Sequence, residues 1–422
     1  MSEGNSRKLK YCVIGKSLPH TLSPEIHMAF GREVYDVCEF ADTQELHAFV
    51  NGREYAGYNV TIPYKRDIIP MLDEVSEEAA AIGAVNTVVT EGGRLVGYNT
   101  DVEGMSYALS AAGIDLYGRN VLILGSGGTC QTAKYVCKIS GVASVNVVSR
   151  SGIINYDSCY ELTNVQVVIN TTPVGMMPHA YEVPIDLCRF EKLEGVFDCV
   201  YNPLETLLVK NARKLGVKAA NGLLMLVEQA RLAHNLYQRA EGLPECDESM
   251  TLKVAAGVEY ARRNVVLIGM AGSGKSVIGK RLAKAMGREF VDTDCEIERN
   301  EGMSIPDIFR AHGEGYFRVA ERNAVESACT RLGLVIATGG GAVLDERNAF
   351  FMKANGICVL IYRDPEKLAT KGRPLSSDID KAMRLYEQRK PIYEAVADIT
   401  VNNDSNMDIV VERILGEIDK NK

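Results

Sequence analysis

The sequence has no tryptophan, and aromatic residues make up only 7% of its 422 residues. It also lacks a long apolar run, because the longest, residues 357–362, is far shorter than the roughly 20 residues that cross a bilayer. Residues 1–10 are too polar for a signal peptide. We therefore expect a cytoplasmic protein that has no membrane partner.

An excess of positive charge is absent as well. The chain has 47 Lys and Arg against 55 Asp and Glu, a net charge of −8. A nucleic-acid-binding protein usually shows a basic surface, so we expect no nucleic acid partner, and no obligate protein partner is evident. Small anionic molecules remain possible ligands, because binding them needs only local positive charge.

Metal and disulfide motifs are also missing. The eleven cysteines form no C-x-x-C pair, and the six histidines form no H-E-x-x-H motif. Neither a zinc site nor a disulfide framework is indicated. We expect reduced, structural thiols.

The length predicts two or three folding units, at roughly 150 residues per domain. Short β-rich runs alternate with helical patterns, which is typical of α/β proteins built on parallel sheets. Three such runs end in glycine, at residues 10–15, 120–125 and 264–269. A polar segment at 239–249 precedes a predicted helix over Thr251–Arg263, so we place the main boundary near residue 262.

The middle glycine run is typical of a dinucleotide site. Gly125, Ser126, Gly127, Gly128 and Thr129 follow a predicted strand and open a predicted helix. Glycines let the backbone approach a pyrophosphate at the helix N-terminus, where amide groups and the helix dipole favour anions. The alternative is a tight turn that binds no nucleotide.

The next predicted strand ends in Ser149 and Arg150, where an NAD-binding unit would carry an acidic residue. An arginine there suits the 2′-phosphate of NADP. NADP is therefore favoured over NAD, and the alternative is a solvated surface arginine.

Polar clusters in the first part of the chain suit a small polyhydroxylated acid, because buried polar groups discriminate such ligands well. Together with the dinucleotide unit, they resemble shikimate dehydrogenase across about residues 10–240. The matching segments, in the order of that family, are residues 20–27, 57–65, 83–87, 97–101, 170–173, 198–203 and 222–230.

This resemblance implies that Lys65 and Asp101 are the catalytic pair, and that Gly222 lies at the cofactor. The chemistry agrees, since an alkoxide formed by hydride transfer needs a positioned cation and a proton. A structural ion pair is the alternative. The implied substrate ligands are Thr21, Ser23, Thr61, Asn86, Asp101, Tyr201 and Gln229.

Two departures from that family concern the substrate and the cofactor. Thr21 stands where the family usually has Ser, which keeps the hydroxyl and adds a methyl group. The interval between Arg150 and Asn170 is short, so the second βα unit of the nucleotide domain looks abbreviated.

The third glycine run contains G-x-x-x-x-G-K-S in its required context, between a predicted strand and a predicted helix. Gly272, Ser273 and Gly274 would cradle phosphates with their amides, Lys275 would meet the β and γ oxygens, and Ser276 would ligate Mg²⁺. A phosphoryl-transfer site that uses ATP is therefore predicted.

Residues 264–403 resemble shikimate kinase in the order and spacing of their further motifs. Read alone, these motifs indicate acids at a strand end, a turn at Gly313–Arg318 and exposed arginines. The resemblance implies that Asp292 lies in the magnesium shell and that Asp294 binds the substrate hydroxyls. It implies that the substrate carboxylate is held by Arg318, Arg389 and the backbone of Gly339, Gly340 and Gly341.

This kinase-like region departs from the shikimate kinase family in its lid. The resemblance implies that Arg373 closes onto the phosphates and that Lys371 lies near the nucleotide. The family usually has an arginine near the position of Lys371 and several more residues before the lid arginine. The lid is therefore expected to be short.

Together these observations predict an α/β protein with three domains. Residues 1–104, completed by helices over 223–262, would bind the substrate of the dehydrogenase; residues 105–222 would form a Rossmann-type NADP domain, and residues 263–422 a P-loop shikimate kinase domain. The expected function is reduction of 3-dehydroshikimate with NADPH, then phosphorylation of shikimate with MgATP. The alternatives are a quinate/shikimate dehydrogenase fused to a kinase and a non-catalytic transcriptional regulator built from these domains.

Overall fold

The computed structural model describes residues 9–19, 21–364, 366 and 379–420. Across these residues, no helix combines the length and the hydrophobicity that crossing a bilayer requires. They form two compact units, of which the first takes residues up to Val174, then Val183–Tyr201 and Leu208–Val258. The second unit takes Gly175–Glu182, Asn202–Leu207 and the residues from Glu259 onward. The division into three domains stays a prediction.

The first unit contains two sheets, and the first of them is mixed. Its strand order is β2-β1-β3-β5-β6-β4, and β5 pairs antiparallel with both β3 and β6. Its strands and the neighbouring helices are β1 (Tyr11–Gly15), α1 (Ser23–Ala29), β2 (Asp36–Glu39), α2 (Thr43–Gly52), β3 (Gly57–Val60), β4 (Glu74–Val75), α3 (Glu77–Ile82), β5 (Thr87–Glu91), β6 (Arg94–Tyr98) and α4 (Asp101–Ala111).

The second sheet is fully parallel, with the order β11-β10-β9-β7-β8. Its elements are β7 (Asn120–Leu124), α5 (Gly128–Ile139), β8 (Ser144–Val148), β9 (Val167–Asn170), β10 (Gly195–Asp198), α6 (Leu207–Lys214) and β11 (Lys218–Ala220). Between β8 and β9 the chain forms only a 3-10 helix at Ser158–Glu161, which agrees with the short interval in the sequence. Two long helices follow, α7 (Leu223–Glu241) and α8 (Ser249–Arg262).

The second unit contains a third sheet, also parallel, with the order β13-β14-β12-β15-β16. Its elements are β12 (Asn264–Ile268), α9 (Lys275–Met286), β13 (Phe290–Asp292), α10 (Thr293–Glu301), α11 (Ile305–Thr330), β14 (Val335–Ala337), α12 (Glu346–Ala354), β15 (Gly356–Tyr362), α13 (Ile379–Val396), β16 (Ile399–Asn402) and α14 (Met407–Lys420). This unit confirms the α/β class with parallel strands that the alternating sequence pattern predicts.

Both faces of each sheet are buried, as the alternation along β7 shows. Val121 and Ile123 face one apolar cluster, whereas Leu122 and Leu124 face another. Strands β1 and β12 alternate between two clusters in the same way. Successive side chains of a strand point to opposite faces, so a sheet covered on both sides needs the continuous apolar runs that the sequence shows.

Two short segments from the middle of the chain belong to the second unit. Ala180 is fully buried in one of its apolar clusters, and Tyr181 packs edge-on against Phe350 with ring centroids 5.3 Å apart. The Leu204 amide donates a hydrogen bond to Oδ1 of Asn355 at 2.8 Å. The second unit therefore includes chain that comes well before its first strand, which no sequence pattern predicts.

In the first unit, a buried ion pair fastens α7 to α8. Arg231 donates two hydrogen bonds to the carboxylate of Glu228, at 2.9 and 2.6 Å. The same carboxylate accepts a hydrogen bond from the Thr251 hydroxyl on α8. Because a buried charge needs a partner, this arrangement holds the two helices together.

We expect Glu228→Gln to destabilise the protein by about 3 kcal/mol, because it leaves the Arg231 charge buried without an opposite charge. Glu245→Gln is the matched control, since Glu245 pairs with Arg239 of α7 and its side chain is 45% exposed. That change should cost less than about 1 kcal/mol. Urea unfolding followed by circular dichroism measures both, and equal costs would contradict the account.

Candidate active sites

An ion pair between Lys65 and Asp101 lies in a cleft of the first unit, which we call the first cleft. Nζ of Lys65 is 2.5 Å from Oδ2 of Asp101, and Nδ2 of Asn86 donates to Oδ1 at 2.9 Å. Asp101 is 8% exposed and is the first residue of α4. Its backbone amide donates to Oδ1 of Asn99 at 3.0 Å. A helix N-terminus favours a carboxylate, so the fold orients the Asp101 carboxylate towards Lys65.

The structure brings most of the predicted substrate ligands together around this pair. Thr21 does not line the first cleft, but its hydroxyl is 3.3 Å from that of Ser23, which does. The predicted residues that line it are Ser23, Thr61, Lys65, Asn86, Asp101, Thr129, Tyr201, Gly222 and Gln229. Thr129 and Gly222 are predicted cofactor ligands, so the nucleotide turn and the substrate ligands share one cavity.

Close packing of α4 on α7 places Gln229 at this cleft. A Cβ added to Gly104 would lie 2.8 Å from the carbonyl oxygen of Met225, so only glycine fits at this crossing. Oε1 of Gln229 consequently lies 3.5 Å from Nδ2 of Asn86. Helix α7, which lies late in the first unit, thus completes the cleft formed by the beginning of that unit.

The glycine turn after β7 fits a pyrophosphate. Gly125 has a φ of +100°, which side chains other than glycine rarely adopt. Gly127 caps α5 without any side-chain hydrogen bond, and a Cβ added to Gly127 or Gly128 would meet nothing within 4 Å. Open space in front of a helix N-terminus suits a phosphate group.

Ser149 and Arg150 lie at the same edge of the sheet as this turn. The Gly125 amide donates to the carbonyl of Val148 at 2.8 Å, and Ser149 follows directly. Arg150 is exposed. An exposed arginine at this edge of the sheet suits a 2′-phosphate.

The loop between β12 and α9 fits a nucleotide phosphate chain. Gly272 and Gly274 have φ values of +89° and +99°. Nζ of Lys275 is held 2.8 Å from the Gly269 carbonyl and 2.9 Å from that of Met270. The buried hydroxyl of Ser273 has no hydrogen-bond partner. Such an orphaned donor inside a cradle of amides suits an anionic ligand.

A cleft of the second unit, the second cleft, gathers the predicted ligands of the kinase-like region. Those that line it are Ser276, Asp292, Asp294, Arg318, Gly339, Gly340, Gly341 and Arg389. Burial raises the pKa of Asp294 to about 6, and the neighbouring Asp292 adds to the rise. A hydroxyl and a carboxylate beside a phosphate cradle fit Mg²⁺, which binds few protein groups and keeps several waters.

Arg318 and Arg389 supply positive charge to the second cleft. Nη1 of Arg318 is 2.7 Å from the buried carboxylate of Glu321, and Arg389 donates to the Gly340 carbonyl at 3.0 Å. At the turn predicted for Gly313–Arg318, Gly313 has φ +79° and ψ 175°, so two helical stretches of α11 meet there at a kink, and the residues after Gly313 are helical. The helix places Arg318 and Glu321 one turn apart on the same face, so the carboxylate orients the guanidinium.

Lys371 and Arg373, the predicted lid residues, lie outside the described residues. Their roles stay predictions.

Three polar residues near these clefts carry no role in the sequence predictions. Asn59 lines the first cleft and Glu321 the second. Asn403 donates from Nδ2 to the Ser273 carbonyl inside the phosphate loop, at 2.7 Å. In the sequence, Asn59 and Asn403 are marked only as polar residues near the end of a buried strand. Such residues are too common for this pattern to identify these two as functional.

Comparisons with known proteins identify a family for a part of each unit. The family model of the shikimate dehydrogenase substrate binding domain matches residues 13–88, and the shikimate kinase model matches residues 271–419. A shikimate dehydrogenase (NADP(+)) of Caldicellulosiruptor bescii is 37% identical over 252 residues, which cover 52% of this chain and 86% of that protein.

Two similar solved structures cover the same part of the chain. Shikimate 5-dehydrogenase from Thermus thermophilus, in complex with NADP(H) and shikimate, is 31% identical with a TM-score of 0.52, over 59% of this chain and 99% of that one. Quinate dehydrogenase from Corynebacterium glutamicum, in complex with NAD, is 29% identical with a TM-score of 0.53, over 59% and 99%.

Asn403→Ala should raise the Michaelis constant for ATP about five-fold, because losing one hydrogen bond to a buried carbonyl costs about 1 kcal/mol. Asn402→Ala is the matched control, since Asn402 is the exposed last residue of β16. Initial rates of ATP-dependent phosphorylation at varied ATP test this. An unchanged constant in the Asn403 variant would show that the phosphate loop holds its shape without this contact.

Proposed function

The chain belongs to the shikimate dehydrogenase family and carries a shikimate kinase domain after it. From this premise we propose which of its residues carry out each of two reactions. It is a bifunctional enzyme of the shikimate pathway, in the route to aromatic amino acids. One part reduces 3-dehydroshikimate to shikimate with NADPH, and the other phosphorylates shikimate to shikimate 3-phosphate with MgATP. The observation that carries the proposal is the single cleft that joins the Lys65–Asp101 pair to the nucleotide turn.

In the first cleft, Lys65 donates the proton. NADPH, when bound, supplies the hydride that adds to the ketone carbon, and negative charge then develops on the ketone oxygen. The ammonium of Lys65 stabilises that developing charge and protonates the oxygen, while Asp101 keeps the ammonium in place. Thr21 and Ser23 hold the substrate carboxylate, and the ring is surrounded by Thr61, Asn86, Tyr201 and Gln229.

In the second cleft, Asp294 binds the hydroxyl that is phosphorylated, and Arg318 and Arg389 hold the carboxylate. MgATP, when bound, supplies the phosphoryl group. Lys275 and the loop amides neutralise phosphate charge, and Ser276 and Asp292 are the protein groups at the metal. We propose, from the sequence alone, that Arg373 closes onto the phosphates and that Lys371 lies beside the nucleotide.

Two alternatives differ in substrate or in kind. A quinate preference is favoured by the likeness to a quinate dehydrogenase, and comparison of kcat/KM for quinate and shikimate oxidation decides it. A non-catalytic regulator has no need of Lys65, Asp101 and Lys275, which are all in place. Eleven free thiols suit a reducing compartment, and a cytoplasmic location is part of the proposal.

Lys65→Ala should abolish reduction of 3-dehydroshikimate and leave phosphorylation of shikimate near the wild-type rate, because the two clefts are built from different units. Lys275→Ala should do the reverse. Both rates are measured on the same preparations, with circular dichroism as the control for folding. Loss of both activities in either folded variant would contradict two independent sites.

Arg150→Ala should raise the Michaelis constant for NADPH about ten-fold or more and barely change that for NADH. The reason is that a charge-assisted contact to the 2′-phosphate is lost, worth about 2–5 kcal/mol when buried and less when solvated. Arg119→Ala is the matched control, because Arg119 precedes β7 at the opposite edge of the sheet and pairs with Glu194. Equal effects of Arg150→Ala on both cofactors would show that Arg150 merely supports the fold.

A further inference from the structure

A buried polar cluster lies behind the first cleft and converges on Asn59. Its side-chain oxygen, Oδ1, accepts hydrogen bonds from the hydroxyl of Tyr35 at 2.5 Å and from that of Tyr237 at 3.2 Å. Nε2 of His27 is 2.9 Å from the same oxygen. These three groups come from α1, the residue before β2, and α7. Three separate elements therefore meet at one amide of β3.

His27 is neutral and donates its ring proton to this amide. The imidazole is fully buried, and burial lowers its pKa to about 3. A neutral imidazole carries one proton, on one of its two nitrogens. Nδ1 has no hydrogen-bond partner, whereas Nε2 faces the Asn59 oxygen. The proton therefore lies on Nε2, and all three neighbours are donors.

The Asn86 carbonyl, which can only accept a hydrogen bond, fixes which way the Asn59 amide points. With Oδ1 occupied, Nδ2 of Asn59 donates to Oγ1 of Thr87 at 3.0 Å and to the Asn86 carbonyl at 3.3 Å. A flipped amide would set its oxygen 3.3 Å from the Asn86 carbonyl oxygen, where neither atom can donate. The alternative orientation is therefore excluded.

The same direction of donation continues to the catalytic pair. The Thr87 hydroxyl donates to Oδ1 of Asn86 at 3.0 Å. Nδ2 of Asn86 then donates to Oδ1 of Asp101 at 2.9 Å. Oδ2 of Asp101 holds the Lys65 ammonium at 2.5 Å. Within this series, Thr87 and Asn86 each have one orientation that satisfies both of their neighbours.

We propose that Tyr35, Tyr237 and His27 are positioning residues for reduction of 3-dehydroshikimate, acting through Asn59, Thr87 and Asn86 on Asp101. This inference rests on the proposed function of the first cleft. The series keeps the Asp101 carboxylate in the one orientation that aims the Lys65 ammonium at the substrate oxygen. Small misplacements of a catalytic group lower the rate of the chemical step more than they weaken substrate binding.

The double change Tyr35→Phe/Tyr237→Phe should lower kcat for reduction about ten-fold and alter the Michaelis constant for 3-dehydroshikimate less than about three-fold. Thr87→Val, which keeps the shape and removes the hydroxyl, should do the same. Thr87→Ser restores the hydroxyl and should restore most of kcat. Combining Thr87→Val with the double change should add little, because both interrupt one series.

Tyr58→Phe is the matched control. Tyr58 is the neighbour of Asn59 in β3 and is equally buried, but its hydroxyl has no hydrogen-bond partner. Its kcat should equal that of the wild type, and phosphorylation of shikimate by the same preparations should be unchanged in every variant.

Two results would overturn the inference. The first is a wild-type kcat in both the tyrosine double variant and Thr87→Val. The second is a fully additive loss of kcat when these changes are combined, because additivity indicates separate structural defects. If a tyrosine variant fails to fold, the Thr87→Val and Thr87→Ser pair decides alone. A wild-type chain that does not reduce 3-dehydroshikimate at all would instead refute the proposed function, and with it the inference.

Discussion

The carboxylate of Asp101 is shared between Lys65 and Asn86, and the first cleft is arranged around this requirement. A carboxylate that is 8% exposed must be paired and hydrogen-bonded. Its place at the first residue of α4 supplies helix-dipole stabilisation, and the packing of α4 against α7 brings Gln229 to the other side of Asn86. The positions of the substrate ligands, the catalytic pair and α7 thus all follow from the need to pair one buried carboxylate.

Both clefts use the same geometric rule although their chemistry differs. In parallel sheets, loops that follow the carboxyl ends of neighbouring strands meet at one edge. The dinucleotide turn follows β7 and Tyr201 comes shortly after β10, whereas the phosphate loop follows β12 and Asp292 ends β13. Each nucleotide turn needs glycines where φ is positive. The positive charge that anionic ligands require is local, so a net charge of −8 is no obstacle.

Sequence patterns predict the features that depend on neighbours in the chain. The α/β class, the phosphate loop before α9 and the glycine turn before α5 belong to this group, because each combines a buried strand with a helix start. The turn expected at Gly313–Arg318 is limited to a kink at Gly313, whose φ of +79° only glycine readily adopts, and burial of Phe317 favours helix in the residues that follow.

Features that join distant parts of the chain could not be predicted in this way. The donors to Asn59 come from three elements, and the pairing of Glu228 with Thr251 depends on how α7 meets α8. The packing of the segments Gly175–Glu182 and Asn202–Leu207 in the second unit follows from no sequence pattern. Tertiary packing, not local propensity, selects these contacts.

The most direct test of the account supplies the purified chain with 3-dehydroshikimate, NADPH and MgATP and quantifies both products over time. The account predicts that NADPH is oxidised, that shikimate appears first, and that shikimate 3-phosphate follows with one ATP consumed for each molecule formed. Without ATP, the reaction should stop at shikimate. Oxidation of NADPH with no phosphorylated product, or phosphorylation of added shikimate with no reduction of 3-dehydroshikimate, would contradict the claim that one chain carries out both steps.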